Sequence, residues 1–312
     1  MRKYILLAAA LLALPACARA GDTVALTFDD LPGLTLHNSQ PYVNETNRKL
    51  LDGLRRHGFP AIGFVNEGKI ADMDRAQQTA ILENWVAAGL DLGNHTYSHE
   101  TPDKLSAGAY TADILKGEKV TRPLLAAHGK TLAWFRYPYL ETGPTRKKKA
   151  AIEAWLKDHG YRIAPVTMEN SDWMFSEPYD DAVARHKARR VAKIRAEYLA
   201  YTDRTVAWYQ KAGHALFGRD MAFVMLLHDA RLNADCIDDL AGIFRRHGLT
   251  PVTIDQAMTD PAYRTPDPYL GKDGVEWLER WSPVLDRDLP WDDFREPPHD
   301  IQVAYNRLDT DK

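Results

Sequence analysis

Two adjacent carboxylates, Asp29 and Asp30, close an apolar run at 24–28 and stand just before a Pro-Gly turn. Neighbouring buried acids repel each other and each costs free energy to desolvate, so the pair calls for a cation. His95 and His99 supply one kind of partner. An i, i+4 His pair on one face of a helical turn is a metal-ligand spacing. Two imidazoles and one carboxylate, with a position left open for water, make a catalytic rather than a structural site. Asp30 can serve as the carboxylate ligand. Asp29 can then stay unligated and accept a proton from a water that the cation activates. Arg136 can keep Asp29 ionised and oriented. The nitrogen-rich set predicts one divalent metal ion, zinc in the first place, with Co2+ or Ni2+ able to substitute.

A second pair points to acid catalysis. His228 ends an apolar run, and Asp172 lies in "ENSDW". A nearby carboxylate raises a histidine above its usual ~6.5, which leaves a proton available to a departing amine. Trp173 and Leu226 read either as plain core or as walls of a small apolar pocket for a methyl group.

These residues need strands and helices to bring them together. Strand-like runs fall at 24–28, 61–65, 90–93, 131–135, 162–167, 222–227 and 250–254. Helical stretches lie between them, at about 42–57, 74–88, 103–128, 145–159, 180–213 and 234–247. Gly58, Gly89, Gly160 and Gly248 each follow a helical stretch and read as C-caps. Such alternation predicts an α/β fold of parallel βα units, a distorted (β/α) barrel of about seven. An open doubly wound sheet is the structural alternative. In a barrel the catalytic groups gather at the C-terminal ends of the strands. Asp29, His95, Arg136, Asp172 and His228 all fall there. The stretch 180–213 reads as a long helical insertion, with Val191, Ile194, Tyr198, Tyr201 and Trp208 as its packing stripe. The segment 261–312 reads as an ordered C-terminal extension packed on the barrel, because Trp277, Trp281 and Trp291 are costly to leave in water.

The 312 residues are 45% apolar and 27% charged, with a formal net charge of -3. That balance excludes a nucleic-acid binder, which needs a basic face. Residues 1–20 combine a basic start, a Leu/Ala run and an Ala18-Arg19-Ala20 cleavage pattern, the mark of a secretory signal peptide. The apolar run is too short to span a membrane. Cleavage after Ala20 removes three cations and no acids, which takes the charge from -3 to -6. The expectation is an exported protein, periplasmic or secreted, whose catalytic domain covers 21–260. Lipid anchoring at Cys17 is the rival reading, disfavoured by Pro15 and by the short tether to the first strand. Without Cys17, Cys236 would be the one cysteine left, so no internal disulfide is expected.

In order, "TFDD", "FVNEG", "NHTYSH", "RYPY", "SDW" and "LLHD" resemble the motifs of the NodB-like polysaccharide deacetylases, carbohydrate esterase family four. The resemblance runs over about 23–254. It implies a distorted barrel and a divalent metal, usually zinc. It also implies hydrolysis of N-acetyl, sometimes O-acetyl, groups on amino-sugar polymers such as chitin oligomers, peptidoglycan or another envelope glycan. By that resemblance Asp29 is the base and Asp30, His95 and His99 are the ligands. Arg136 orients the base, the Tyr139 backbone N–H helps form the oxyanion hole, and His228 is the acid supported by Asp172. Trp173 and Leu226 line the acetate pocket. Two features depart from the pattern: Glu169 stands where many members carry Asp, and Tyr137 replaces a frequent Pro. A non-sugar amide or an O-acetyl ester would use the same site. A non-catalytic carbohydrate-binding protein is the reading from another class. The intact Asp29–Asp30 pair opposes it, because a lectin needs no unligated base beside its metal.

Overall fold

A computed structural model describes residues 21–36, 39–272 and 274–308. The signal-peptide segment and Cys17 lie outside the described residues. Seven parallel strands carry the fold: β1 (Thr23–Leu34), β2 (Ala61–Val65), β3 (Asp91–Asn94), β4 (Trp134–Phe135), β5 (Arg162–Ile163), β6 (Ala222–Ala230) and β7 (Thr250–Pro251). Eleven α-helices accompany them among the described residues. The first five are α1 (Gln40–His57), α2 (Arg75–Ala87), α3 (Ala107–Lys116), α4 (Thr121–Ala127) and α5 (Arg146–Asp158). Then come α6 (Asp172–Ala184), α7 (Ala188–Phe217), α8 (Arg231–Arg246) and α9 (Ile254–Ala257). The C-terminal segment adds α10 (Trp277–Leu285) and α11 (His299–Leu308).

The sheet runs β5-β4-β3-β2-β1-β6, and β7 joins β1 at Thr23 and Val24, before β2 begins to pair. It curls until its ends meet. Met168, beyond β5, forms a bridge to Met225 of β6, and Leu226 N–H donates to the Met168 carbonyl at 2.9 Å. The expected distorted barrel is therefore present. Three strands are shorter than their apolar runs suggested. The runs at 131–135, 162–167 and 250–254 shrink to two-residue ladders. Pro165 has no N–H to donate, and the chain after it crosses to pair with β6 instead.

Val24, Ala25, Leu26, Thr27 and Phe28 are all buried, as a strand covered on both faces requires. The four glycines read as C-caps all take left-handed backbone, with φ between 62° and 85°. The stretch 103–128 is two helices, not one. The Glu67 carboxylate accepts the N–H of Thr121 at 2.7 Å and so caps a new helix start. Gly117, just before it, lets the 96–97 loop pass. A Cβ there would sit 2.7 Å from the Thr96 carbonyl carbon. The stretch 180–213 also divides. α6 begins at Asp172, the chain turns at His186 (φ 55°), and α7 starts at Ala188. Ile194, Tyr198, Tyr201 and Trp208 are buried, so the stripe is packing as expected. Trp277 and Trp281 are buried too. Trp291 is not: it is 47% exposed, sharing a surface ring cluster with Trp208 and Phe294 that covers part of each ring.

Candidate active site

In a regular strand Asp29 and Asp30 would point to opposite faces. Here the β1–β2 register slips between Phe28 and Leu31, and Asp30 takes left-handed backbone with φ 69°. The irregularity re-aims the side chains, so both acids reach one pocket. The two carboxylates then meet different partners. Arg136, wholly buried, lies 3.3 Å from Asp29 Oδ2. Its other nitrogens donate to the Ala164 carbonyl at 2.9 Å and to Thr27 Oγ1 at 3.0 Å, which fixes the guanidinium. Burial pushes the Asp29 carboxyl up to about 6, with Arg136 opposing the shift. Burial would raise Asp30 as well. There, Lys69 (3.4 Å from Oδ2) and the surrounding histidines win, and the carboxyl sits below the usual range.

His95 and His99 do not share a helical turn. They flank a tight loop in which Thr96 (φ 65°) and His99 (φ 60°) are left-handed. His95 N–H donates to the Val65 carbonyl, Thr96 N–H to Asn94 Oδ1 and His99 N–H to Thr96 Oγ1. These bonds bring the two rings within 5.0 Å, centroid to centroid. His95 Nδ1 lies 2.8 Å from the Arg136 carbonyl, so Nδ1 carries the hydrogen and Nε2 keeps a free lone pair. Burial lowers both histidines to about 4, so both are neutral ligands at neutral pH.

Asp30, His95 and His99 each offer a ligand atom, all within 4.8 Å of one another. His99 Nε2 is 3.4 Å from Asp30 Oδ1, and tetrahedral bonds of ~2.1 Å would set ligand atoms about 3.4 Å apart. Asp30 Oδ1 is buried and has no hydrogen bond among the described residues. An orphaned carboxylate oxygen facing two neutral imidazoles fits a divalent cation. His95 Nε2 is slightly nearer to Asp29 Oδ2 (3.6 Å) than to Asp30 Oδ1 (3.9 Å). The guanidinium already on Asp29 separates the two acids more clearly than that difference does.

Across the pocket, His228 Nδ1 lies 2.8 Å from Asp172 Oδ1, and His228 N–H donates to Asp172 Oδ2 at 2.7 Å. Asp172 is the first residue of α6, where a helix favours negative charge. Asn233 donates to the same carboxylate, and Tyr198 holds Asn233 in turn. Burial alone would depress the His228 imidazolium, but Asp172 overrides it and raises the group to about 9. Trp173 and Leu226 both line the pocket, as does Tyr139, whose ring lies 4.6 Å from that of His99.

The cavity holds about 390 Å³. Every site residue proposed from sequence lines it or contacts a residue that does. Several other residues at the site escaped sequence reading. Lys69 follows directly on "FVNEG", a motif that could have drawn attention to it. Glu177, Gly274, Glu276 and Tyr305 also line the cavity. The last three belong to the C-terminal segment, which carries no motif.

Residues 18–164 match the polysaccharide deacetylase family profile, a span that stops short of Asp172 and His228. The chain is 29% identical over 153 residues to a peptidoglycan-N-acetylglucosamine deacetylase of Bacillus cereus, covering 48% of this chain and 46% of that one. It is 27% identical over 244 residues to a chitin deacetylase of Pestalotiopsis sp, covering 77% and 64%. The chain thus spans about half to two thirds of these relatives. Among solved structures, the Bacillus cereus polysaccharide deacetylase Bc1974 superposes with TM-score 0.51 at 18% identity, covering 74% of this chain and 91% of that one. A mutant of a carbohydrate esterase family four pseudoenzyme, with restored activity, gives TM-score 0.52 at 18% identity, covering 77% and 68%. At such identities the likeness concerns the fold alone. The pseudoenzyme also makes plain that this fold can exist without the chemistry.

Proposed function

Because the chain belongs to the NodB-like polysaccharide deacetylases of carbohydrate esterase family four, we propose that it is a metal-dependent hydrolase. Its substrate would be an N-acetylated amino-sugar glycan: chitin oligomers, peptidoglycan or another envelope polymer. The observation that carries this reading is the unequal surroundings of two neighbouring acids. Asp29 is clamped by Arg136, while Asp30 keeps an orphaned oxygen toward two neutral histidines. A binding protein would have no use for that division. Export by the N-terminal segment belongs to the same reading.

Asp30, His95 and His99 would hold the cation, zinc first, with cobalt or nickel able to substitute. When bound, the cation acidifies a coordinated water and polarises the acyl oxygen. Asp29 takes the proton of the attacking water, and Arg136 keeps it ionised to do so. The Tyr139 backbone N–H faces the charge that develops on the acyl oxygen. Trp173 and Leu226 enclose the methyl group. His228 Nε2 gives a proton to the leaving nitrogen, while Asp172 holds the Nδ1 side of the ring. Acetate release from a panel of acetylated glycans, with and without chelator, tests the whole. No chelator-sensitive release from any of them would overturn it.

The His228–Asp172 pair yields a pH prediction. The imidazolium loses its proton as pH rises through about 9, so the alkaline limb of kcat should fall there. Asp172→Asn removes the charge that opposes burial, so the limb should move to lower pH. The raised pKa also means that this pair stabilises the fold fully below ~6.5 and ceases to do so as pH passes about 9. His228→Ala should slow amide cleavage more than ester cleavage, since an alkoxide departs more readily than an amide anion. Equal losses on an N-acetyl oligomer and an acetate ester would assign His228 a packing role.

A further inference from the structure

Tyr139 and Leu140 are consecutive non-glycine residues with left-handed backbone, at φ 53° and 57°. Each such residue costs on the order of 1–3 kcal/mol and persists only where its surroundings over-determine it. Two local hydrogen bonds close the turn, from Leu140 N–H to the Tyr137 carbonyl and from Glu141 N–H to the Pro138 carbonyl, both at 3.1 Å. Further constraints come from the C-terminal segment, well over a hundred residues away in sequence.

Arg280 of α10 is only 2% exposed. Its Nη2 donates to the Leu140 carbonyl at 2.5 Å and its Nε to the Val275 carbonyl at 2.8 Å. Its Nη1 reaches Asp267 Oδ2 at 3.1 Å, and the guanidinium lies 3.8 Å from the centre of the Trp277 ring. A buried cation is costly unless it is paired and its donors are used. Asp267 supplies the countercharge, and Lys149 of α5 holds the same carboxylate at 2.7 Å. Trp277 N–H donates to the Val166 carbonyl at 2.7 Å, which ties the segment to the barrel just beyond β5. Gly274 presses on the turn from outside. A Cβ at that position would lie 1.5 Å from the Tyr139 carbonyl oxygen, so no side chain fits. A tail that only covered apolar surface would need neither a bare glycine against the Tyr139 carbonyl nor a guanidinium on the next one.

We infer that Arg280 and Gly274 are positioning residues. They hold the Tyr139–Leu140 turn where it lines the pocket, with the Tyr139 ring resting on that of His99. The C-terminal segment is therefore part of the active site, through the backbone it holds. The inference rests on the deacetylase reading, in which the Tyr139 N–H meets the developing oxyanion.

The test uses the full-length, zinc-loaded protein. Gly274 is exposed, so Gly274→Ala should fold. Its kcat on an N-acetyl oligomer should fall by about 10²-fold, the scale of a misplaced donor, while KM changes little. Zinc stoichiometry and the alkaline limb should stay as in wild type, and calorimetry should show weaker acetate binding. Arg280→Lys keeps a cation for Asp267 but loses the fork that reaches Leu140, and should shift kcat and acetate affinity in the same direction. If Arg280→Lys does not fold, Gly274→Ala decides alone. Unchanged kcat and acetate affinity in folded, zinc-replete Gly274→Ala would overturn the inference. A wild type that frees no acetate from any glycan, yet loses acetate affinity on Gly274→Ala, upholds the positioning and overturns the glycan reading instead.

Discussion

Asp29→Asn should lower kcat by about 10²–10⁴-fold and leave the cation in place, because a general base contributes on that scale. Asn keeps the shape of the side chain and loses the proton acceptor. Metal should stay, since Asp30, His95 and His99 supply the clustered ligand atoms. The variant should also be less stable. Arg136 is wholly buried, and removing the charge of its partner leaves the guanidinium with neutral partners such as the Thr27 hydroxyl and the Ala164 carbonyl. Deleting one partner of a buried pair costs ~3–5 kcal/mol, and the amide oxygen of Asn should keep the loss below that. Rates are therefore compared at equal folded fraction, with metal content measured on the same samples. Loss of metal from Asp29→Asn would show that the roles of Asp29 and Asp30 are exchanged. The shorter distance from His95 Nε2 to Asp29 makes that outcome a genuine alternative.

Replacing His95 and His99 together by Ala should remove both stoichiometric metal and turnover. The two rings supply two of the three clustered ligand atoms, and Asp30 alone would keep one carboxylate beside Lys69. Chelation of the wild type should have the same effect on rate, with recovery when zinc is returned. Thermal unfolding gives a readout separate from activity. A ligand at 100 times its Kd stabilises the native state by about 2.7 kcal/mol. Added zinc should therefore raise the wild-type Tm and leave that of the double variant unmoved. Stoichiometric metal in the double variant would place the cation elsewhere.

Much of this molecule was legible in order along the chain. The alternation of apolar runs and amphipathic stretches led to parallel βα units. Glycines after helical stretches marked C-termini because a left-handed cap favours a residue without Cβ. Polar residues at strand ends led to one face of a barrel, because parallel strands place all their C-termini on the same side. Those signals are local or repeat at a fixed period, so a sequence displays them.

The tertiary structure decided what depends on contacts between distant segments. Alternation along a strand would have sent Asp29 and Asp30 to opposite faces. The slip in register against β2 and β6, and the left-handed backbone at Asp30, brought them to one pocket. The spacing of His95 and His99 suggested a helical turn. A loop pinned to the Val65 carbonyl and to the side chains of Asn94 and Thr96 brings the rings together instead. The apparent single helix at 180–213 concealed a break at His186, and with it the start of α6 that sets Asp172 beside His228. The share of Gly274, Glu276 and Tyr305 in the pocket had no sequence signal at all. The hold of Arg280 and Gly274 on the Tyr139–Leu140 turn comes from a buried guanidinium on the Leu140 carbonyl and a glycine against the Tyr139 carbonyl, contacts across more than a hundred residues that no local pattern encodes.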